Sequence, residues 1–225
     1  MATRIPAAPG KMRKEPRQER SRDTVEAILR ATARILGRHG WEALTTNQVA
    51  EVAGVSVGSL YQYFPNKLAL IEAVRRQHFR DVLAALAAAE DSGKASAERI
   101  ESVVEGMIRV HGRDPAVHQV LLEESPRSRV SKAAHDEFEA EYLRRYEALI
   151  GGSGRALSGE RRKIAAQVLS AAIAGVVHDA ARRGTLTSPE LKRELIHLVS
   201  AYVGEARSRS HRKRPTDAVP LSKRG

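Results

Sequence analysis

The sequence predicts an all-α fold of about nine helices, with a small N-terminal three-helix unit followed by a larger helical domain. Composition is the first sign. Aromatic residues make up 4% of the chain against 42% apolar overall, so the core must come mainly from Ala, Val, Leu and Ile. Much Ala, Leu, Glu and Arg with few β-branched runs favours helices, and 225 residues at this apolar content suffice for a real core. The second sign is apolar recurrence at helical spacing, interrupted at a few Pro or Gly breaks. The third is the stretch Thr45 to Lys67, in which two short helices fit around one tight turn.

The elements follow in order. Val25, Ile28, Leu29, Ala31 or Thr32, Ile35 and Leu36 mark a first helix that starts near Ser21 or Asp23 and ends at Gly40. It packs across the next two, and Trp41, Leu44, Val49, Val52, Leu60 and Phe64 complete a small core. Within Thr45 to Lys67, Val49, Ala53, Val55, Leu60 and Tyr63 fall where the two helices need apolar contact, and Ala50 and Gly54 where bulk is forbidden. Gly54 can take the left-handed conformation that ends a helix and turns the chain. Thr45 with Gln48 reads as a capping box, and Ser56 as the N-cap of the second helix, 57–64. Phe64-Pro65 stops that helix and Asn66 caps the next. A longer helix over about 66–88 spans roughly 30 Å and links the two halves. Five segments follow, at about 95–112, 115–124, 129–150, 159–183 and 189–207, separated near Asp114-Pro115, Ser125-Pro126, Gly151 to Gly154 and Ser188-Pro189.

Seven core positions and three caps in register identify a helix-turn-helix that grips DNA. The second helix would enter the major groove N-terminal end first. Gly58 permits close backbone approach, Ser59 and Gln62 can hydrogen-bond, and Tyr61 and Tyr63 can reach phosphates. Gly54 to Gly58 also spells the G-x-S-x-G of a hydrolase nucleophile elbow. That motif needs a buried strand before the serine, and here an amphipathic helix precedes it. Neither a phosphate-binding loop nor a G-x-G-x-x-G is present, so no cofactor is implied. The five histidines from His111 to His197 read as core or surface residues rather than metal ligands. A chain without cysteine has no thiolate metal site and no disulfides. With no apolar run near the roughly 18 residues of a membrane span and no signal-like N-terminus, the expected location is the cytoplasm.

The net charge of +11 lies entirely in the tails. Residues 1–22 hold seven Lys or Arg against two Glu, and residues 207–225 hold seven against one Asp. That leaves 24 charges of each sign between them, so the helix-turn-helix cannot lean on a basic body. The expected organisation is a disordered basic arm at 1–20, the DNA-binding domain at 21–67, a regulatory and dimerisation domain at 68–206 and a disordered basic tail at 207–225. The arm either follows the DNA backbone or minor groove, or is a solvated tail; the C-terminal segment reads as a solvated tail.

The run His39-Gly40-Trp41, Leu44-Thr45-Thr46, Val49-Ala50, Ala53-Gly54-Val55-Ser56 and Gly58 to Lys67 resembles the TetR family of transcriptional regulators over residues 22–72. The resemblance implies a homodimer that places two recognition helices in successive major grooves of a palindromic operator on double-stranded DNA. On that pattern Thr46 and Ser56 contact phosphates, Gly58, Ser59 and Gln62 lie along base edges, and Tyr61, Tyr63 and Lys67 clamp the backbone, with Arg22, Thr45 and Val57 completing the DNA-binding set. Gln62 departs from the aromatic residue that many relatives carry there. The resemblance further implies that the last two long helices form a four-helix bundle with their copies. Ile164, Val168, Ala171, Ala172, Gly175 and His178 form one stripe and Leu191, Leu195, Leu198, Val199 and Tyr202 another; either stripe could instead face its own core.

A small-molecule inducer is implied as well. Met107, His111, His118, Leu121, Leu122, Phe138, Tyr142, Tyr146 and His178 are its candidate pocket residues, and the scarcity of aromatics favours an aliphatic or acyl ligand over a stacked planar one. Alternatives to a ligand-released repressor are a ligand-independent DNA-binding or architectural protein and, more remotely, a helical enzyme.

Overall fold

The computed structural model describes residue 12 and residues 18–90, 95–113, 115, 117, 120–121, 129–152 and 157–204. Among them are eight helices: α1 (Glu19–Ala43), α2 (Thr46–Ala53), α3 (Val57–Tyr63), α4 (Lys67–Ala87), α5 (Ser96–Arg113), α6 (Arg129–Gly151), α7 (Gly159–Arg183) and α8 (Pro189–Gly204). The expected ninth, 115–124, lies mostly outside the described residues; Pro115, Val117, Val120 and Leu121 are helical. Most of the expected arm and all of the expected tail also lie outside them. Within the arm, Met12 packs partly buried against the N-terminal core, and α1 starts at Glu19 rather than at Ser21 or Asp23. Gln18 precedes it without a side-chain cap.

Two apolar cores organise the molecule. The first gathers Ile28, Leu36, Leu44, Val49, Leu60 and Phe64 with Leu70, Ile71 and Val74 of α4, so the first two turns of the linking helix belong to the helix-turn-helix unit. Val117, Val120 and Leu121, which follow α5, join the same core. Val52, expected inside, is 49% exposed: Val49, Ala50 and the half-buried Ala53 set the inner face of α2, and Val52 falls on its flank. The second core lies between α4 and α8, with α6 against α7 and α5 against α4, α7 and α8.

The local signals act mostly as read. α1 breaks at Gly40, where φ is 72° and ψ −180°. Gly54 caps α2 at φ 68°, and a Cβ there would meet nothing within 4 Å. The turn therefore requires glycine for its left-handed backbone and not, as expected, for lack of space. Thr45 Oγ1 accepts the Gln48 N–H at 3.2 Å but donates to Gln48 Oε1 at 3.0 Å, so the amide closes on the hydroxyl and the reciprocal half of a capping box is absent. Ser56 and Asn66 accept from the N–H groups of Ser59 and Ala69 at 3.0 and 2.9 Å, as expected of N-caps. Phe64, with φ −120° and ψ 111°, follows the end of α3 at Tyr63.

α7 carries an 18-residue window of mean hydropathy 1.5, enough in length and composition for a membrane span. The sequence expectation missed this because isolated Gln and Ser residues interrupt the run. Ala165, Ala166, Leu169, Ile173 and Val177 face the core, while Ile164 and Val168 stand 52% and 49% exposed, so the helix is apolar on two faces.

Candidate nucleic-acid interface

α3 presents one solvent face made by Val57, Gly58, Tyr61 and Gln62, while Leu60 and Tyr63 turn inward. Short caps fix both ends of the turn before it: Gly54 reverses the chain and Ser56 holds the first turn of α3. Glycine within a helix costs about 1 kcal/mol relative to alanine. A Cβ at Gly58 would meet only Ser56 Oγ, at 3.9 Å, so no contact within the chain demands glycine there.

The structure sorts the predicted contacts. Thr46 Oγ1 and the Tyr61 hydroxyl share a hydrogen bond of 3.0 Å, joining the first residue of α2 to the face of α3. Arg22, Thr45 and Ser56 are exposed, and Thr46 is half-buried. Ser59 is half-buried and its hydroxyl is bonded to Ser56 Oγ at 2.8 Å, which makes it part of the cap rather than of the exposed face. Tyr63 is 8% exposed, so most of its ring packs in the reader core. Lys67 is half-buried: its Nζ donates to the carbonyls of Trp41 and Glu42, both at 3.4 Å, and lies 4.2 Å from the Trp41 ring centre. It closes the open end of α1, a structural task the sequence pattern did not reveal.

Behind this face, α4 carries a buried ion pair that sequence reading also missed. Arg75 Nη1 donates to Glu72 Oε2 at 2.8 Å, and both side chains are under 5% exposed. Arg75 Nε and Nη2 reach the Leu121 carbonyl at 3.3 and 3.1 Å. Leu121, expected in the ligand pocket, is instead fully buried in the reader core and held there by this arginine. Spacing of three between Glu72 and Arg75 was a signal, but sequence alone gives it as an exposed helical pair.

The other expected pocket residues converge in the second core. Phe79 stacks on Phe138 at 4.0 Å, Phe138 on Tyr142 at 5.3 Å, and Tyr142 meets Tyr146 edge-on at 5.0 Å. His111 lies 5.2 Å from both His78 and His178, joining α4, α5 and α7. Burial, reinforced by the neighbouring imidazoles, pushes His78 down to about 3. Burial likewise brings His111 to about 4, against the hydrogen bond between its Nδ1 and the Met107 carbonyl. Met107 and Tyr146 are fully buried in this core, while His118 and Leu122 lie outside the described residues. These side chains fill one another's space. No group of three metal-binding side chains is poised to hold an ion among the described residues.

The expected dimer stripes divide. Val168, Ala171 and Gly175 are exposed and Ala172 is half-buried; on α8, Leu198 is 46% exposed and Tyr202 half-buried. Leu195 and Val199, at 2% and 0%, point into their own core instead. On a helix packed on one side, positions 195, 199 and 203 share the inner face, and 198 lies on the other. Leu198 also lines an apolar groove of about 400 Å³ with Val176 and Leu191.

Comparison with known proteins agrees with this architecture. The family description "Bacterial regulatory proteins, tetR family" matches residues 28–74, and "Tetracyclin repressor-like, C-terminal domain" matches residues 97–202. The chain belongs to the TetR family. It is 32% identical over 103 residues to the HTH-type transcriptional repressor KstR of Mycolicibacterium smegmatis, covering 46% of this chain and 50% of that protein. The chain thus spans about half the length of the curated KstR relatives it matches. An uncharacterized HTH-type transcriptional regulator of Mycobacterium tuberculosis is 26% identical over 183 residues, covering 80% of this chain and 95% of the relative. The solved structure of the fatty acid degradation regulator FadR from Bacillus halodurans superposes with a TM-score of 0.67 at 17% identity, over 86% of this chain and 98% of that one. This TetR-family chain therefore shares its fold across both halves.

Proposed function

We propose that this TetR-family protein is a cytoplasmic, homodimeric transcriptional repressor that binds a palindromic operator through α3 and releases it when a small molecule occupies its helical domain. The observation that carries the DNA-binding part is the solvent face of α3. Its glycine answers to no contact inside the chain, and it is flanked by Tyr61 tied to Thr46. Both features suit close approach of a helix to a groove with hydroxyls beside the phosphates. Pairing of copies is supported by Ile164, Val168 and Leu198, large apolar side chains left outside the monomer core. Release is supported by continuity: α4 runs from the reader core to the regulatory core, and the Arg75 clasp ties the segment after α5 to the reader.

Selection of binding sites from random duplexes with the full chain tests this reading. We expect a palindrome, protected in footprinting, with Tyr61→Ala weakening binding to all sequences and Gln62→Ala altering the preferred site. Recovery of no preferred sequence, with steeply salt-dependent binding to any duplex, would instead indicate the architectural alternative.

A further inference from the structure

The residues expected to line a ligand pocket pack against one another, but a different recess is open. It has a volume of about 200 Å³ and lies where the end of α4, the start of α5 and the end of α6 meet. Leu86, Ala89, Val103 and Leu149 give it an apolar floor, and Arg99, Arg145 and Glu90, the last paired with Arg145, stand at its wall. Each arginine has a buried Nε without a hydrogen-bond partner. Leaving a buried donor unsatisfied is costly, and more so when the group is charged.

The two guanidinium groups differ in charge balance. Arg145 is paired with Glu90 at 3.2 Å and Glu141 at 2.7 Å. Arg99 donates through Nη2 to the Gly152 carbonyl at 2.6 Å and makes no ion pair among the described residues. Gly152 makes room for it, since a Cβ there would overlap the guanidinium. An apolar floor beside a guanidinium that has no ion pair among the described residues suits a carboxylate on a short hydrocarbon chain. The volume is below the roughly 300–1,000 Å³ of pockets that enclose drug-sized ligands, which sets the chain short.

We propose that this recess binds a short-chain monocarboxylate, its carboxylate on Arg99 and Arg145 and its alkyl chain on Leu86, Ala89, Val103 and Leu149. As an effector site the proposal rests on the ligand-responsive reading above; as a binding site it stands alone. An occupant there touches the last turn of the helix whose first turns form part of the reader core.

Titration calorimetry of the full chain with hexanoate, and with hexan-1-ol as the uncharged control, tests it. We expect saturable binding of hexanoate, binding of hexanol weaker by at least about tenfold, and a similar loss for hexanoate in Arg99→Gln. Ala148→Phe, at an exposed position on the recess wall, should block hexanoate while leaving the melting temperature unchanged, which keeps the test available if Arg99→Gln fails to fold. Absence of hexanoate binding, equal binding of hexanol, or undiminished binding in a folded variant would overturn the proposal. Site selection on DNA without added hexanoate separates the two readings. A recovered palindrome without hexanoate binding sinks only the recess, whereas hexanoate binding without a palindrome sinks only the repressor.

Discussion

α4 carries polar groups into both cores, and the two cores hold them by opposite means. In the reader core it buries a full ion pair, Glu72–Arg75, and aims the guanidinium at the Leu121 carbonyl. One turn further on, His78 meets His111, and burial keeps these two imidazoles neutral, beside stacked aromatic rings. A charged pair is costly to desolvate but directional, so it fixes one geometry; neutral rings impose weaker directional demands. The contrast teaches that the reader end of α4 is locked and that its middle can adapt without abandoning a charge.

Breaking the lock should have a large effect. Arg75→Ala strands the Glu72 carboxylate, a change that costs about 3–5 kcal/mol in buried pairs. The value should fall toward the lower end because Arg76 Nε still reaches Glu72 Oε1 at 3.2 Å. The double substitution of Glu72→Leu with Arg75→Met should be far milder in urea denaturation, because no charge remains to be desolvated. A loss under about 1 kcal/mol for Arg75→Ala would mean that the pair does not hold the reader.

The second core can be probed on one helix. Leu195→Ala removes a side chain 2% exposed in that core and should cost about 2–5 kcal/mol at any protein concentration. Leu198→Ala, from a position 46% exposed, should leave the isolated monomer within about 0.5 kcal/mol and act only through self-association, as a concentration-dependent melting temperature. Equal, concentration-independent losses would remove Leu198 from any interface.

Legibility followed the range of the interactions involved. Caps and turns act over three or four residues, so Ser56, Asn66 and Gly54 could be read from their neighbours. The helical stripes on α7 and α8 could be read as stripes, but which side meets the core depends on distant partners, and Leu195 and Val199 turned inward. The Arg75–Leu121 bond spans 46 positions and leaves no local pattern. Lys67 is similar: its position in the motif suggested a phosphate, while the open carbonyls at the end of α1 occupy its ammonium. The recess at Arg99 was invisible because an unpaired buried Nε is a property of packing alone.

pH sharpens the contrast between the cores. Burial holds His78 and His111 at about 3 and about 4, below the 6.5 usual for histidine, so the unfolded chain takes up protons that the folded core refuses. Stability from this source is complete above pH 6.5 and falls as pH drops toward 4, by at most about 1.4 kcal/mol per unit for each group. His111→Gln should flatten that slope between pH 6.5 and 5. An unchanged slope would show that the histidine cluster is not what senses acid.

The cap before α3 tests the side of the reader proposed to face DNA. Ser56→Ala removes the oxygen that accepts the Ser59 N–H and should cost about 0.5–2 kcal/mol of stability. By itself this cannot tell a cap from a phosphate contact, because both use the same hydroxyl. Ser56→Asp can, since aspartate caps a helix as well as serine does and its charge suits the positive helix end, while it repels phosphate. Full stability with weakened operator binding would therefore place Ser56 against the DNA backbone. Unchanged affinity would mean that the position serves folding alone.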